Sequence, residues 1–345
     1  MQGVDVLISA LTADLNSRQK DILYKRFNLD AKAKGELTLA ELGKKYGITR
    51  ERVRQIEATA LSSVGEKIAS GHGGEFFAYV KSYMDGFGNV RLESAMLADL
   101  KTEAKSDLKP LQLALLLKAN DSFKYYGEDK DFYSFWYADE KSLGDARALI
   151  GKVCSYFVSK KNEVLLAAKG NSSLPPLIQG SGMGESVGVN YLTISKKFGV
   201  NQYGDFGLTE WPEICPKTIR DRAYLVLKNA EKPAHFREIA TFIKERKFDS
   251  KRVYASTVHN ELIKDGRFVL VGRGIYALAE QGYKPGTARE VISRILKSSG
   301  PLESGNLIKL VLKERLFKEN TILLNLQNRR LFKRMSDGRY HTNEA

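Results

Sequence analysis

Residues 37–61, LTLAELGKKYGITRERVRQIEATAL, constrain the fold more than any other part of this chain. They parse as two helices about a tight turn. Thr38 with Glu41 three residues on forms a capping box, in which the hydroxyl takes a free amide and the carboxylate reaches back. Leu39, Leu42 and Tyr46 then share one helical face, and Gly47 follows as a residue that tolerates a left-handed backbone. Thr49 can cap a second helix that turns Val53, Ile56 and Ala60 inward and Arg50, Glu51, Arg52, Arg54, Gln55 and Glu57 outward. The pattern predicts a helix-turn-helix whose second helix is basic and rich in hydrogen-bonding groups, as the DNA major groove requires. The bland alternative is a helix that only packs, its arginines forming a solvated face.

These residues resemble region 4 of the sigma-70 family of bacterial transcription initiation factors. That family's signature, T-R-E-R-[VI]-R-Q-I-E, is met by residues 49–57, and the likeness continues upstream through LNSRQKDIL and YKRFNL at residues 15–29. It covers about residues 12–66. In the family, region 4 reads a promoter element in the major groove and packs on the flap of the polymerase β subunit. The resemblance implies that Arg50, Glu51, Arg52, Arg54 and Gln55 meet bases and phosphates, with Thr38, Lys44 and Lys45 bracing the DNA backbone and Thr49 counted among the DNA-binding residues. Arginine can take guanine with two hydrogen bonds, Gln55 can take adenine, and Glu51 can accept from cytosine.

The chain of 345 residues is long enough for several domains, and its apolar and charged fractions of 43% and 28% are those of a globular protein. No apolar run approaches a membrane span, and the N-terminus has no basic-then-apolar signal, so a cytoplasmic, nucleoid-associated protein is expected. Cys154 and Cys215 are too few for a disulfide scaffold, and the four histidines make no ligand spacing with them, so no metal is expected. Gly180–Gly184 lacks a Walker lysine, and no carboxylate, Ser/His/Asp or Cys/His constellation stands out. Neither a catalytic residue nor a cofactor is therefore assigned. The net charge of +14 is uneven: residues 216–345 hold 27 basic against 14 acidic side chains, residues 16–69 hold 12 against 7, and residues 70–215 are nearly neutral. Such ends suit phosphate contacts.

Beyond a glycine run at 71–74, read as a flexible joint, one unit recurs: helix, short strand, two helices, then a hairpin closing on an aromatic residue. The clearest copy is 216–281, with helices expected at 219–227, 237–244 and 252–264 (the last burying Val253, Val258, Leu262 and Ile263) and a hairpin turning at Gly272-Arg273-Gly274. This is the order of a winged helix. PKTIRDRAYLVLKNAEKPAHFREIATFI and TVHNELIKDGRFVLVGRGIYAL also resemble the HARE-type winged helix-turn-helix, known from the delta subunit of bacterial RNA polymerase, restriction-linked proteins and chromatin factors. Residues 286–345 repeat the order, with Arg334 and Arg339 beside the second hairpin turn. Trp211, Tyr276 and Tyr340 fall 65 and 64 residues apart, as closing aromatics of a repeat would.

The middle is fainter. Residues 75–140 read as a winged helix whose aromatic cluster at 132–137 belongs to a core strand. Residues 141–215 read as a degenerate copy with a long loop at 170–188, a second helix at 191–198 and a hairpin at 204–209. The expected fold is mainly α, an N-terminal helix-turn-helix bundle (1–70) followed by an array of winged-helix modules. Residues 1–15 carry an apolar helix packing on that bundle and leave no room for the melting and −10-reading parts of a complete sigma factor. The expected partners are double-stranded DNA and bacterial RNA polymerase, and the expected role is a non-enzymatic regulator that reads a promoter-like site. Two alternatives stay open: a delta-like polymerase-associated protein without sequence readout, or the DNA-recognition component of a restriction system.

Overall fold

The structure, a computed structural model, describes residues 3–29, 35–103, 108–167, 174–249, 252–315 and 317–343. It is mainly helical, 57% helix, with small antiparallel sheets. The chain divides into two compact units, Met1–Gly199 with Phe206–Thr209, and Val200–Asp205 with Glu210–Ala345.

The first unit opens with α1 (Val4–Leu11), α2 (Ser17–Arg26), α3 (Leu39–Tyr46) and α4 (Arg50–Ala69). Asn16 and Gln19 form a capping box at the start of α2, each accepting a backbone N–H from the other. The glycines at 71–74, expected as a flexible joint, make a tight turn instead. Gly71 and Gly73 take φ of 101° and 78°, and α5 (Gly74–Gly86) begins at once. One hydrophobic core then runs across the turn, joining Leu7, Leu11, Ala60 and Val64 to Phe76, Phe77, Val80 and Leu113.

β1 (Val90–Leu92), α6 (Glu93–Glu103), α7 (Pro110–Lys118), β2 (Lys124–Tyr126) and β3 (Phe135–Tyr137) follow, the strands in order β1-β3-β2. The backbone just past α7 lies close against α4: a Cβ on Gly65 would stand 2.6 Å from the Ala119 carbonyl oxygen. Adjacent β3 residues point to opposite faces, yet Phe135 and Trp136 are both fully buried, so the sheet is covered on both sides there. The aromatic cluster is core, with Phe135 stacked on Tyr126 at 4.7 Å and Tyr133 left exposed.

α8 (Glu140–Ser159), α9 (Lys161–Ala167), α10 (Leu174–Gln179), α11 (Glu185–Thr193), β4 (Phe198–Val200) and β5 (Phe206–Leu208) come next. Two expectations fail here. The long loop at 170–188 contains α10 and the start of α11 (residues 170–173 lie outside the described residues). The helix placed at 191–198 ends at Thr193, and Phe198 is in a strand. The cause is packing. A Cβ on Gly188 would stand 2.3 Å from Ile178 Cγ2, so this glycine is a close-contact site between α10 and α11 and not a loop residue.

The second unit contains α12 (Ile219–Ala230), β6 (Ala234–His235), α13 (Phe236–Glu245), α14 (Ala255–Lys264), β7 (Phe268–Gly272) and β8 (Ile275–Leu278), with strand order β6-β8-β7. Val253, Val258 and Leu262 are buried, but Ile263 is 63% exposed. Five residues past Val258 it has rotated well off the inward stripe of a 3.6-residue helix. The order recurs in α15 (Ala288–Ser299), α16 (Ser304–Glu314), α17 (Glu319–Leu326), β9 (Phe332–Arg334) and β10 (Tyr340–Thr342), with Leu302 bridged to Tyr340 as Ala234 is paired with Tyr276. Tyr276 and Tyr340 are therefore equivalent positions. Trp211 is not their counterpart, because it lies in a turn beyond the end of β5.

The two halves of this unit have separate cores, and Arg315 ties them. Its guanidinium, 2% exposed, donates to the carbonyls of Leu270, Lys284 (2.6 Å) and Gly286 (3.0 Å). β7 is an edge strand, so the arginine also occupies a backbone acceptor left open there. Arg315→Met removes three hydrogen bonds to part-buried carbonyls. It is expected to cost about 2–4 kcal/mol and to raise amide exchange around residues 284–286, both read by hydrogen exchange and chemical unfolding.

Candidate nucleic-acid interface

The local chemistry of α3 and α4 sets the geometry of the candidate site. The Thr38 hydroxyl accepts from the Glu41 N–H (3.2 Å) and donates to the Glu41 carboxylate (2.7 Å), which also accepts the Thr38 N–H (2.7 Å). Those hydrogen bonds hold the Glu41 carboxyl below its ordinary pKa. Thr38 has thus committed its proton to the cap. Among the described residues the Thr49 hydroxyl accepts the Arg52 N–H, at 3.1 Å, and donates to no acceptor. Gly47, at φ 63°, closes α3 in the left-handed region. A Cβ on Gly43 would stand 2.8 Å from the Ile48 carbonyl oxygen, so the turn between the helices folds tightly onto α3.

Ile22, Leu42 and Val53 form a small core of their own, all fully buried, with Leu39, Tyr46, Ile48 and Ile56 packed around it. Val53 inward places Arg50, Glu51, Arg52, Arg54 and Gln55 on the exposed side of α4. Glu57 departs from the expected outward set. Four residues past Val53, it shares the inner face, is half-buried and pairs with Arg26 of α2 at 3.6 Å.

The exposed side chains organise one another. Arg52 Nη1 donates to Gln55 Oε1 at 3.1 Å. Arg54 grips both Glu51 oxygens, at 2.7–3.0 Å. The hydrogen bond from Arg54 holds the Glu51 carboxyl below its ordinary pKa, so it is ionised at neutral pH. Arg50 has no ion pair among the described residues. The outer face therefore presents two cationic groups, Arg50 and Arg52, and a third whose charge Glu51 offsets.

Lys44 and Lys45 are exposed at the end of α3, with the Lys45 ammonium 5.9 Å from the Tyr46 ring centroid. The sequence reading missed what surrounds that ring. Arg18 of α2 lies over Tyr46 at 5.7 Å, and Lys25 donates to the Tyr46 hydroxyl at 3.0 Å while Asp21 accepts from both. The proximity of Lys25 lowers the Lys45 pKa. Arg18 and Lys25 are seven residues apart on one face of α2, a helical spacing that was available in the sequence.

Of the three cations expected at hairpin turns, Arg273 is exposed between β7 and β8, and Arg334 is exposed with its guanidinium 6.0 Å from the Tyr340 ring centroid. Arg339 is paired with Asp337 at 2.6 Å. Arg273, Arg334 and Arg339 belong to the second unit, whereas α4 belongs to the first. Among the described residues no group of three or more His, Cys, Asp or Glu side chains could hold a metal, and no helix is long and apolar enough to cross a membrane.

Comparison with known proteins bears on the first unit. The family model "Sigma-70, region 4" matches residues 13–64. The RNA polymerase sigma-C factor of Nostoc sp. is 47% identical over 55 residues, 16% of this chain and 12% of that protein. The sigma-B factor of the same organism is 46% identical over 55 residues, 16% of each chain. The RNA polymerase sigma factor RpoD of Helicobacter pylori is 40% identical over 57 residues, 16% of this chain and 8% of its own. The likeness thus spans at most about a sixth of these curated relatives. It coincides with the capped pair α3–α4 and the helix before it. Residues 13–64 are a sigma-70 region 4 domain.

Proposed function

We propose that this chain is a DNA-binding transcription regulator that reads a promoter-like duplex with α4 and associates with RNA polymerase. One observation carries the reading: within the region 4 domain, α4 is capped at Thr49 and anchored by Val53, and turns Arg50, Arg52, Arg54 and Gln55 outward together. Arg50, Arg52 and Gln55 meet base edges and phosphates, Glu51 sets how much of Arg54 is free, and Lys44, Lys45 and Thr49 contact the backbone. Polymerase is the protein partner because the relatives are named as its sigma factors, with the β flap as the contact the resemblance implies. The repeated helix, strand, helix, helix, hairpin order supports winged helices at 75–140, 216–281 and 286–345, with that at 216–281 of HARE type, and four helices before a hairpin at 141–215 fit a degenerate copy. Arg273, Arg334 and Arg339 then contribute phosphate contacts from the hairpins. A non-enzymatic protein working at the nucleoid fits these roles.

The test is selection of bound duplexes from a random pool by the full chain. Enrichment of one short motif supports the reading. A pool that stays unenriched through repeated rounds, while core polymerase co-purifies with the chain, favours the polymerase-associated protein that does not read sequence.

A further inference from the structure

The basic side chains of the last module sort into two kinds. Arg294 is paired with Glu314 at 2.6 Å, Arg339 with Asp337 at 2.6 Å, and Arg315 is buried against carbonyls. Arg329, Arg330, Lys333 and Arg334 are all exposed, fall within six residues of one another, and have no ion pair among the described residues. The fold pins this segment. The Asn328 carbonyl accepts the N–H of Leu331 and of Phe332, each at 3.0 Å, and Asn328 Oδ1 accepts that of Arg330 at 3.2 Å. Asn343 closes the other side, its backbone N–H donating to the Leu331 carbonyl (2.7 Å) and its side chain to the Arg329 carbonyl (3.1 Å). Phe332, 2% exposed, plugs the core, which turns Lys333 to the opposite face of β9.

A purely structural account covers half of the cluster. β9 is the edge of its small sheet, and charged residues on an edge strand block unwanted pairing. That explains Lys333 and Arg334. Arg329 and Arg330 precede the strand and guard no edge.

The helices ahead of the two hairpins in this unit offer the opposite chemistry. α17 exposes Glu319, Asn320, Thr321, Leu323 and Leu324 and no cation. α14 exposes one lysine, Lys264, whose ammonium is 3.5 Å from Glu261. α17 thus offers no cation for direct reading of guanine, and the one lysine of α14 lies against Glu261. A segment dense in free cations, following a helix that carries none, suits contact with a polyanion whose bases are not read.

We propose that Arg329, Arg330, Lys333 and Arg334 form a nucleic-acid backbone site that adds affinity for any duplex and no sequence choice. The ligand class rests on the DNA-binding reading above; the site itself rests on the pinned, unpaired cluster. The test uses the full chain, with R329Q/R330Q/K333Q/R334Q compared with wild type on the selected duplex and on a scrambled one, across several salt concentrations. Each phosphate contact contributes about 0.9 to the slope of log affinity against log salt, so the fourfold variant should lower that slope by roughly 2–4. It should weaken both duplexes alike and leave their affinity ratio unchanged. The charge-conserving R329K/R330K variant should keep the wild-type slope. All six substitutions are at exposed positions, and helical circular dichroism verifies folding. A slope unaltered by the fourfold variant, in a wild-type chain that binds DNA, overturns this site alone. Absence of salt-dependent binding of wild type to any duplex overturns both the site and the function it extends.

Discussion

Replacing Arg52 by alanine is expected to cost about 1–3 kcal/mol on the preferred duplex and to relax choice at one base position. The reason is visible before DNA arrives. Arg52 donates to Gln55 on the exposed face of a helix capped through the Arg52 amide itself, so both side chains are held in register over the same turn. Gln55→Ala should therefore lower discrimination at the same or the neighbouring position, and the two losses should not add, because each variant also frees the other's partner. Arg50→Ala should have an effect of similar size on affinity. Glu51→Ala has the opposite sign. It releases Arg54 from a three-bond clamp and removes an ionised carboxylate from the exposed side of α4, so affinity for every duplex should rise while selectivity falls. Titrations of each variant against selected and scrambled duplexes at one salt concentration measure this. Unchanged affinity and preference in Arg50→Ala, Arg52→Ala and Gln55→Ala, with folding intact, would mean that α4 does not read bases.

Leu42→Ala is expected to cost about 2–5 kcal/mol, the range for a fully buried leucine that leaves a cavity. Its effect should be concentrated in the helix-turn-helix. Leu42 belongs to the small cluster with Ile22 and Val53, apart from the larger core that holds Leu23, Ala60 and Val64. With three fully buried members there is little to collapse into the void. The α3–α4 angle should loosen while the rest of the unit holds, and sequence-selective binding should disappear before helical content does. Leu39, at the rim of the same cluster, should cost clearly less. Chemical unfolding beside DNA titration checks this, and a loss below about 1 kcal/mol would show that the cluster does not hold the two helices together.

The capped α3–α4 pair was legible because its determinants are local: Thr38, Glu41 and Thr49 act on amides within three residues of themselves, and Gly47 needs only its own left-handed backbone. The α14 hairpin region was legible for the same reason, since the strands flank Gly272-Arg273-Gly274 directly. What failed depended on distant partners. The glycines at 71–74 have the composition of a joint, and only the packing of Leu7 and Leu11 against Phe76 and Phe77 makes them a fixed turn. Gly188 carries no local mark of its contact with Ile178. Glu57 lay on the apolar stripe all along, but its partner Arg26 is on another helix. At the candidate site the sequence named the outward side chains of α4. It did not show that the Thr38 hydroxyl proton goes to the Glu41 carboxylate, that Arg54 is tied to Glu51, or that Arg18 and Lys25 gather about Tyr46.

If α4 reads base edges from the major groove, methylation interference on the selected duplex will register it. Guanine N7 faces the major groove and adenine N3 the minor groove, so the two methyl groups block different approaches. N7-methylated guanines within the selected motif should be depleted from the bound fraction, and Arg52→Ala or Arg50→Ala should abolish the depletion at one of them. Interference confined to adenine N3, or none within the motif, would contradict major-groove reading by α4.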